Sequence, residues 1–334
     1  MKTITLSSLA AIVFLTLSCG PTYLATTCPE ESVLTLVKIT DEANSRIVGN
    51  GSSAKGSLKA PNQGICTSES FGWNTERLLA VSPDGTEIAY QSLVDGRWNI
   101  MVRKSSAQSA ATQRTFRSVG DFTWGEDGKL YFGDIVSGNR IQICVTDAHK
   151  GSLMRQITSN NVDYNPILSN DRKKLFFTRI DDSGAFIWSY DLGDGSLTSC
   201  CRGYNAYPLG EGSDEFICVR NSTFGNSELW RVNYEKGIET LILSDKKRGF
   251  TNPVVSPDGK WIVCQGNNRS SISNKNNLDI FVVRIDGSDF MQLTFHPADD
   301  CCPVWSPDGK EIYFLSRRAN NEGLFNIWKM RFEL

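Results

Sequence analysis

Short apolar runs alternate with polar turns along most of this chain, and helical periodicity is almost absent. The pattern is sharpest in the last third, where one phrase occurs twice. Thr251–Cys264 reads TNPVVSPDGKWIVC and Cys302–Leu315 reads CPVWSPDGKEIYFL. Each leads through a polar loop into a second apolar run, LDIFVVRIDG at Leu278–Gly287 and FNIWKMRF at Phe325–Phe332. Runs this short, rich in Val, Ile, Phe and Trp, predict strands. In the shared turn, Pro presets φ, Asp can bond the backbone two residues on, and Gly allows a positive φ.

Eroded forms of the same unit run back to Leu78. LLAVSPDGTEIAYQS, DFTWGEDGKLYFGD, NPILSNDRKKLFFTR and YPLGEGSDEFICVR each precede a second apolar run. The turn position falls at Asp84, Asp127, Asp171, Ser213, Asp258 and Asp308, so the spacings are 43, 44, 42, 45 and 50. A polar insertion, Asn267–Asn277, widens the last interval. A repeat of about 40–50 residues with several short strands predicts propeller blades. The expected architecture is all-β, a six-bladed β-propeller of four-stranded antiparallel blades. The sixth copy stops at Leu334 after its third strand. The island Val33–Thr40 (VLTLVKIT) resembles the missing outer strand when set beside Met291–Thr294 (MQLT). The expectation is that this N-terminal strand, near residues 33–40, closes the sixth blade, because an unclosed ring leaves sheet edges exposed.

From Gly72 to Leu334 the PxWSPDGxxIxF pattern, followed by NIW or DIF, resembles the repeats of TolB-type propellers of bacterial envelope proteins. The stretch LTFHPADDCCPVWSPDGKEIYF matches that pattern closely. The resemblance implies the fold strongly and the function weakly. It implies a protein serving envelope integrity or transport assemblies through protein contacts. The fourth copy departs by losing its SPDG turn. TolB itself carries an α/β domain ahead of its propeller, whereas only the stretch 19–64 precedes the repeats here. The prolyl-oligopeptidase family joins a hydrolase domain to a comparable propeller, and this sequence has no G-x-S-x-G elbow to match it.

The amino terminus adds a location. Lys2 followed by the apolar Leu9–Leu17 reads as a targeting segment too short to span a bilayer. Its end, Leu17-Ser18-Cys19-Gly20, resembles the lipobox of bacterial lipoproteins, with Thr16 standing where that family usually has Leu. The resemblance implies cleavage after residue 18, acylation of Cys19 and a place in the cell envelope, most simply at the outer membrane. Residues 19–64 then form a tether carrying the closing strand, and 65–334 the propeller. A net charge of −2 gives no reason to expect nucleic acid as a partner. Nine cysteines remain after Cys19 in a compartment that permits disulfides. The neighbouring pairs Cys200-Cys201 and Cys301-Cys302 are the disulfide candidates, either within a pair or from one member to another cysteine. Cys144, Cys218 and Cys264 sit in apolar runs and read as buried, inert thiols.

Catalytic signals are thin. His149 lies in a polar turn and His296 in a blade connector, so two scattered histidines build neither a triad nor a zinc site. Ser52 and Lys55 match S-x-x-K only formally, inside a Gly-rich stretch. Asp299 and Asp300 could offer oxygen ligands to a cation, though a plain loop explains them as well. No cofactor is expected. The loops joining second to third strands vary most between copies, and variable loops on a rigid scaffold commonly carry binding. Arg179, Arg220, Arg317 and Arg318 end second strands on that face and are the candidate partner-binding residues. The sequence therefore reads as a monomeric, non-catalytic binding or scaffold lipoprotein that presents a propeller face to a protein or peptide. The competing reading is a propeller enzyme or glycan-binding protein acting on a polymer.

Overall fold

The computed structural model describes residue 31, residues 35–40 and residues 77–333, apart from 95–96, 107–108, 117–118, 137–139, 150–153, 160, 211, 213, 224, 270–275 and 320–324. The targeting segment, Cys19, most of the 19–64 stretch with Ser52 and Lys55, and the centre of the Asn267–Asn277 insertion lie outside the described residues.

Among the described residues the chain forms six four-stranded antiparallel sheets and no α-helix. Five sheets are built from consecutive strands, as in blade 5: Phe250–Val255, Trp261–Arg269, Asn276–Arg284 and Met291–Gln292. The sixth takes Asp300–Trp305, Glu311–Ser316 and Asn326–Arg331 from the end of the chain and Leu36–Lys38 from its start. Leu36 pairs with Met330 and Lys38 with Trp328, so the N-terminal strand completes the ring as the sequence predicted.

Closure repeats the local chemistry of the other blades. In blades 1, 2 and 5 a Thr just beyond the outer strand, Thr115, Thr158 or Thr294, accepts the backbone N–H of Ile100, Ile143 or Ile280 at 2.9–3.0 Å. Thr40 does the same for Ile327 N–H, at 2.9 Å. The likeness of VLTLVKIT to MQLT is thus a likeness of hydrogen bonding as well as of apolar alternation.

The core lies between blades rather than within them. Along the second strand of blade 5, Ile262 and Cys264 pack toward blade 4 while Val263 packs toward blade 6. Both sheet faces are buried, so the second strands read as continuous apolar runs instead of alternating ones. Ile39 enters the core between blades 6 and 1, fixing the closing strand by burial as well as by pairing.

The SPDG turns are locked locally. Ser256 Oγ donates to Asp258 Oδ1 at 2.6 Å, and Asp258 Oδ1 accepts Lys260 N–H while Ser256 Oγ accepts Trp261 N–H. The turns at Ser82, Ser169 and Ser306 repeat this set. Gly85 and Gly309 hold φ of +73° and +71°. A Cβ on Gly85 would lie 3.4 Å from the Pro307 ring of blade 6, so neighbouring turns interlock around the rim.

Candidate functional site

The six inner strands converge on a pit of about 860 Å³ that opens among the SPDG turns. Every blade contributes, with Pro83, Glu126, Arg172, Tyr207, Pro257 and Pro307 among the lining residues. This is the face opposite to the one that loop variability favoured. Turns that recur because they need Ser, Pro, Asp and Gly also frame a cavity, and a repeat offers no variability signal by which to see it.

The pit has a floor. Arg77 of blade 1 crosses the channel, its Nη2 donating to Ala206 O of blade 4 at 2.5 Å and its Nη1 to Asn165 O of blade 3 at 3.5 Å. Asn165 Nδ2 donates to Asp121 Oδ2 of blade 2 at 2.6 Å. Burial lowers the Arg77 pKa to about 10 and raises that of Asp121 to about 6, each opposed by the charge of the other. Around this level Asn165, Asn205, Asn252 and Cys302 adopt left-handed backbone, with φ between 51° and 58°, at bulges in their inner strands. Asn tolerates that conformation better than most residues. Asn252 and Cys302 stand four positions before the turn serines Ser256 and Ser306, and Asn165 stands four before Ser169. That fixed offset is the sequence signal from which this ring could have been found. Arg77 carried no such signal.

The four arginines expected to receive a partner are already engaged. Arg318 is completely buried, its Nη1 on Glu31 Oε2 at 2.9 Å and its Nη2 on Glu31 Oε1 at 3.0 Å and Asp300 Oδ2 at 2.5 Å. Arg179 grips the buried Asp163 through Nε at 2.7 Å and Nη2 at 2.9 Å, stacked over Trp188. A buried arginine whose fork is filled cannot reach a partner, so these two belong to the scaffold. Arg220 holds Glu239 in a bidentate pair with both contacts at 2.7 Å, and Arg317 lies 3.3 Å from Asp299 over the Phe325 ring. Both keep some exposure on the loop side.

The remaining candidates are structural in their contacts. His296 is buried and its Nδ1 accepts Ala298 N–H at 3.0 Å. His149 is exposed, 3.5 Å from Glu87. Asp299 Oδ1 accepts Leu278 N–H, and Asp300 serves Arg318, so each aspartate proposed for a cation is held within the fold. No group of three or more His, Cys, Asp or Glu side chains suited to a metal occurs among the described residues. Cys200, Cys201, Cys301 and Cys302 form no disulfide, and neither do the other described cysteines.

No family profile matches the chain. Among curated relatives, an uncharacterized protein of Agrobacterium fabrum is 28% identical over 102 residues, covering 30% of this chain and 31% of that protein. Dipeptidyl-peptidase 5 of Porphyromonas gingivalis is 38% identical over 69 residues, 21% of this chain and 10% of the peptidase. The matched segments are thus under a third of either relative's length. Among solved structures, a TolB-type structure from Agrobacterium tumefaciens superposes with a TM-score of 0.58 at 18% identity, covering 77% of this chain and 90% of that one. TolB from Acinetobacter baumannii gives 0.57 at 17% identity, covering 75% and 65%. Oligogalacturonate lyase from Vibrio parahaemolyticus gives 0.50 at 11% identity, covering 78% and 90%. At these identities the likeness establishes the fold, which is that of a TolB-like six-bladed propeller.

Proposed function

We propose that this TolB-like propeller is a non-catalytic binding module of the bacterial cell envelope, anchored through a lipid on Cys19, that takes a peptide or protein segment into its turn-side pit. The observation that carries the reading is the pit itself. It is wide enough for several side chains, lined by every blade, floored by Arg77 and rimmed by interlocked turns that hold its shape. A preformed concavity of mixed polarity on a rigid scaffold suits recognition, since little ordering is needed on binding. The resemblance to TolB-type repeats and the lipobox-like end of the targeting segment support the envelope as its place.

Affinity capture from solubilised bacterial envelopes tests the pit. Tagged mature protein is compared with an Arg172→Gly, Glu126→Gln double variant, changes at the rim that leave the ion pairs of the scaffold intact. A protein retained by the parent and lost by the variant supports the reading. Equal retention by both overturns the pit, and an Arg220→Ala, Arg317→Ala variant then asks whether the loop-rich face carries the contact instead. Incorporation of labelled palmitate, absent in Cys19→Ala, tests the anchor. The fold shared with a lyase keeps one second reading open, a protein acting on or binding a polymer. It is favoured if nothing is captured and soluble glycans raise the melting temperature.

A further inference from the structure

The outer strand of blade 3, Leu197–Arg202, passes directly into the inner strand of blade 4, Tyr204–Pro208. Two neighbouring cysteines sit at that junction and differ in placement. Ile187 pairs with Cys201 and Trp188 with Ser199, so Cys200 is the extra residue of a β-bulge. Directly opposed residues share a sheet face. Ile187 points into the core between blades 3 and 4, and Cys201 therefore points there too. Cys218, on Glu215–Asn221 of blade 4, is fully buried in that same core, with Cys200 and Cys201 both packed against the cluster and Cys201 in direct register with Ile187. The approach is close: a Cβ on Gly203 would lie 3.5 Å from Cys218 Sγ. Arg220 Nε donates to Arg202 O at 2.9 Å, which sets the guanidinium beside the junction.

The electrostatics separate the two thiols. Contact with the Cys218 thiol, and after it the Arg220 guanidinium, lower the Cys201 pKa against an opposing burial effect. Burial, and then contact with Cys201, push Cys218 well up. Burial pushes Cys200 to about 12, so the bulged neighbour is the poorer nucleophile.

We propose that Cys201 and Cys218 are a redox-active pair that closes into a disulfide joining blade 3 to blade 4, with Cys201 as the attacking thiol and a small-molecule disulfide as oxidant. The Cys201 thiolate attacks one sulfur of the reagent RSSR. The reagent's S–S bond breaks, and the departing RS⁻ takes up a proton equivalent to the one Cys201 released. Cys218 then loses its proton to solvent and attacks Cys201 Sγ, expelling a second RS⁻ that is protonated in turn. Two protein thiols are oxidised by two electrons, and one RSSR becomes two RSH. Cys218, which the sequence presents as an inert core thiol, becomes the resolving partner because the chain between blades brings Cys201 onto it.

Oxidised glutathione is the probe, applied to the full folded chain and followed by alkylation and non-reducing peptide mapping. The expected product is a peptide bearing Cys201 linked to one bearing Cys218, lost in Cys201→Ser and in Cys218→Ala and kept in Cys200→Ser. The thermal midpoint of the oxidised protein should exceed that of the reduced protein by roughly 5 °C, and the difference should vanish in Cys201→Ser. Arg220→Gln should move the pH profile of Cys201 alkylation to higher pH, an effect that loss of packing alone does not produce. A Cys200–Cys201 linkage, or a stable glutathione adduct on Cys201 with Cys218 still a thiol, overturns the proposal. So does a pair that stays reduced in a buffer that fully oxidises dithiothreitol.

Discussion

Blades 5 and 6 begin with nearly the same words and end by different means. Blade 5 closes through the turn Ile285-Asp286-Gly287, where Ser288 N–H and hydroxyl both bond Asp286 Oδ1, and the chain folds back as its own outer strand. Blade 6 receives its outer strand from the far end of the sequence, and no turn brings that strand home. In place of a turn the seam has buried charge. Glu31 reaches past the closing strand to accept Phe295 N–H at 2.8 Å and His296 N–H at 3.2 Å while clasping Arg318, which also holds Asp300. A local hairpin is specified by a few residues of turn chemistry, whereas a non-local strand must overcome a large loop-closure entropy. Apolar pairing along a short strand fixes its position weakly. A buried cluster whose arginine meets both carboxylates only when residue 31 is in place fixes it more tightly.

The comparison is broken most severely by removing the strap. A chain lacking residues before 41 leaves Asn326–Arg331 as an open edge and Arg318 with one carboxylate, and loss of cooperative unfolding with aggregation is the expected outcome in a thermal melt. Arg318→Ala comes next. It leaves Glu31 and Asp300 buried without their cation and should cost about 3–5 kcal/mol in urea unfolding. The same substitution at Arg284, a half-exposed partner of Asp289 in blade 5, should cost about 0–1 kcal/mol. Equal losses at the two sites would show that the seam has no special dependence on charge. Thr40→Val and Thr294→Val then sharpen the likeness. Each leaves a backbone N–H without its side-chain acceptor, and both should cost about 1–2 kcal/mol. A silent Thr40→Val would mean the strap is held by Glu31 alone.

The smallest expected effect is in pH dependence, and its sign differs between the turns and the buried carboxylates. Asp258 and Asp308 are held below the usual range chiefly by the serine hydroxyl of their own turns. A depressed folded pKa contributes stability above the unfolded value of about 3.9, and that stability is lost as pH falls through the folded value. Burial raises Asp121 and Asp300 to about 6. Between about pH 4 and 6 the folded protein binds protons there that the unfolded chain has released, so stability falls as pH rises through that window. Melting temperature should therefore peak on the acid side of neutrality and drop below about pH 4. Asp121→Asn should flatten the slope between about pH 4 and 6, and an unchanged slope would show that this carboxylate does not titrate there.

Much of the architecture was legible because a propeller repeats its physics. Each blade needs a tight turn after its inner strand, so Ser, Pro, Asp and Gly return at a fixed period. Each second strand is buried on both faces, so Leu175–Phe177, Ile262–Cys264 and Ile312–Leu315 read as apolar runs. Even the closing strand could be found, because Thr40 accepts Ile327 N–H just as Thr294 accepts the corresponding Ile280 N–H in blade 5. The candidate site was far less legible. The arginines stand at strand ends, and nothing in one sequence distinguishes an arginine that greets a partner from one that meets a buried Asp163 or Glu31.

The sequence by itself determined the strand count, the blade period and the turn chemistry, which depend on residues close in the chain or on periodic burial, and it identified the closing strand by its likeness to the outer strand of another blade. Only the tertiary structure decided that the pit opens among the turns, that Arg77 floors it, that Arg318 ties residue 31 to the sixth blade, and that Cys201 lies against Cys218. Each of these is a contact between residues brought together by closure of the ring or by the packing of one blade on the next. Such contacts leave no periodic trace, because a single pair satisfies its hydrogen bonds or charge once and has no reason to recur.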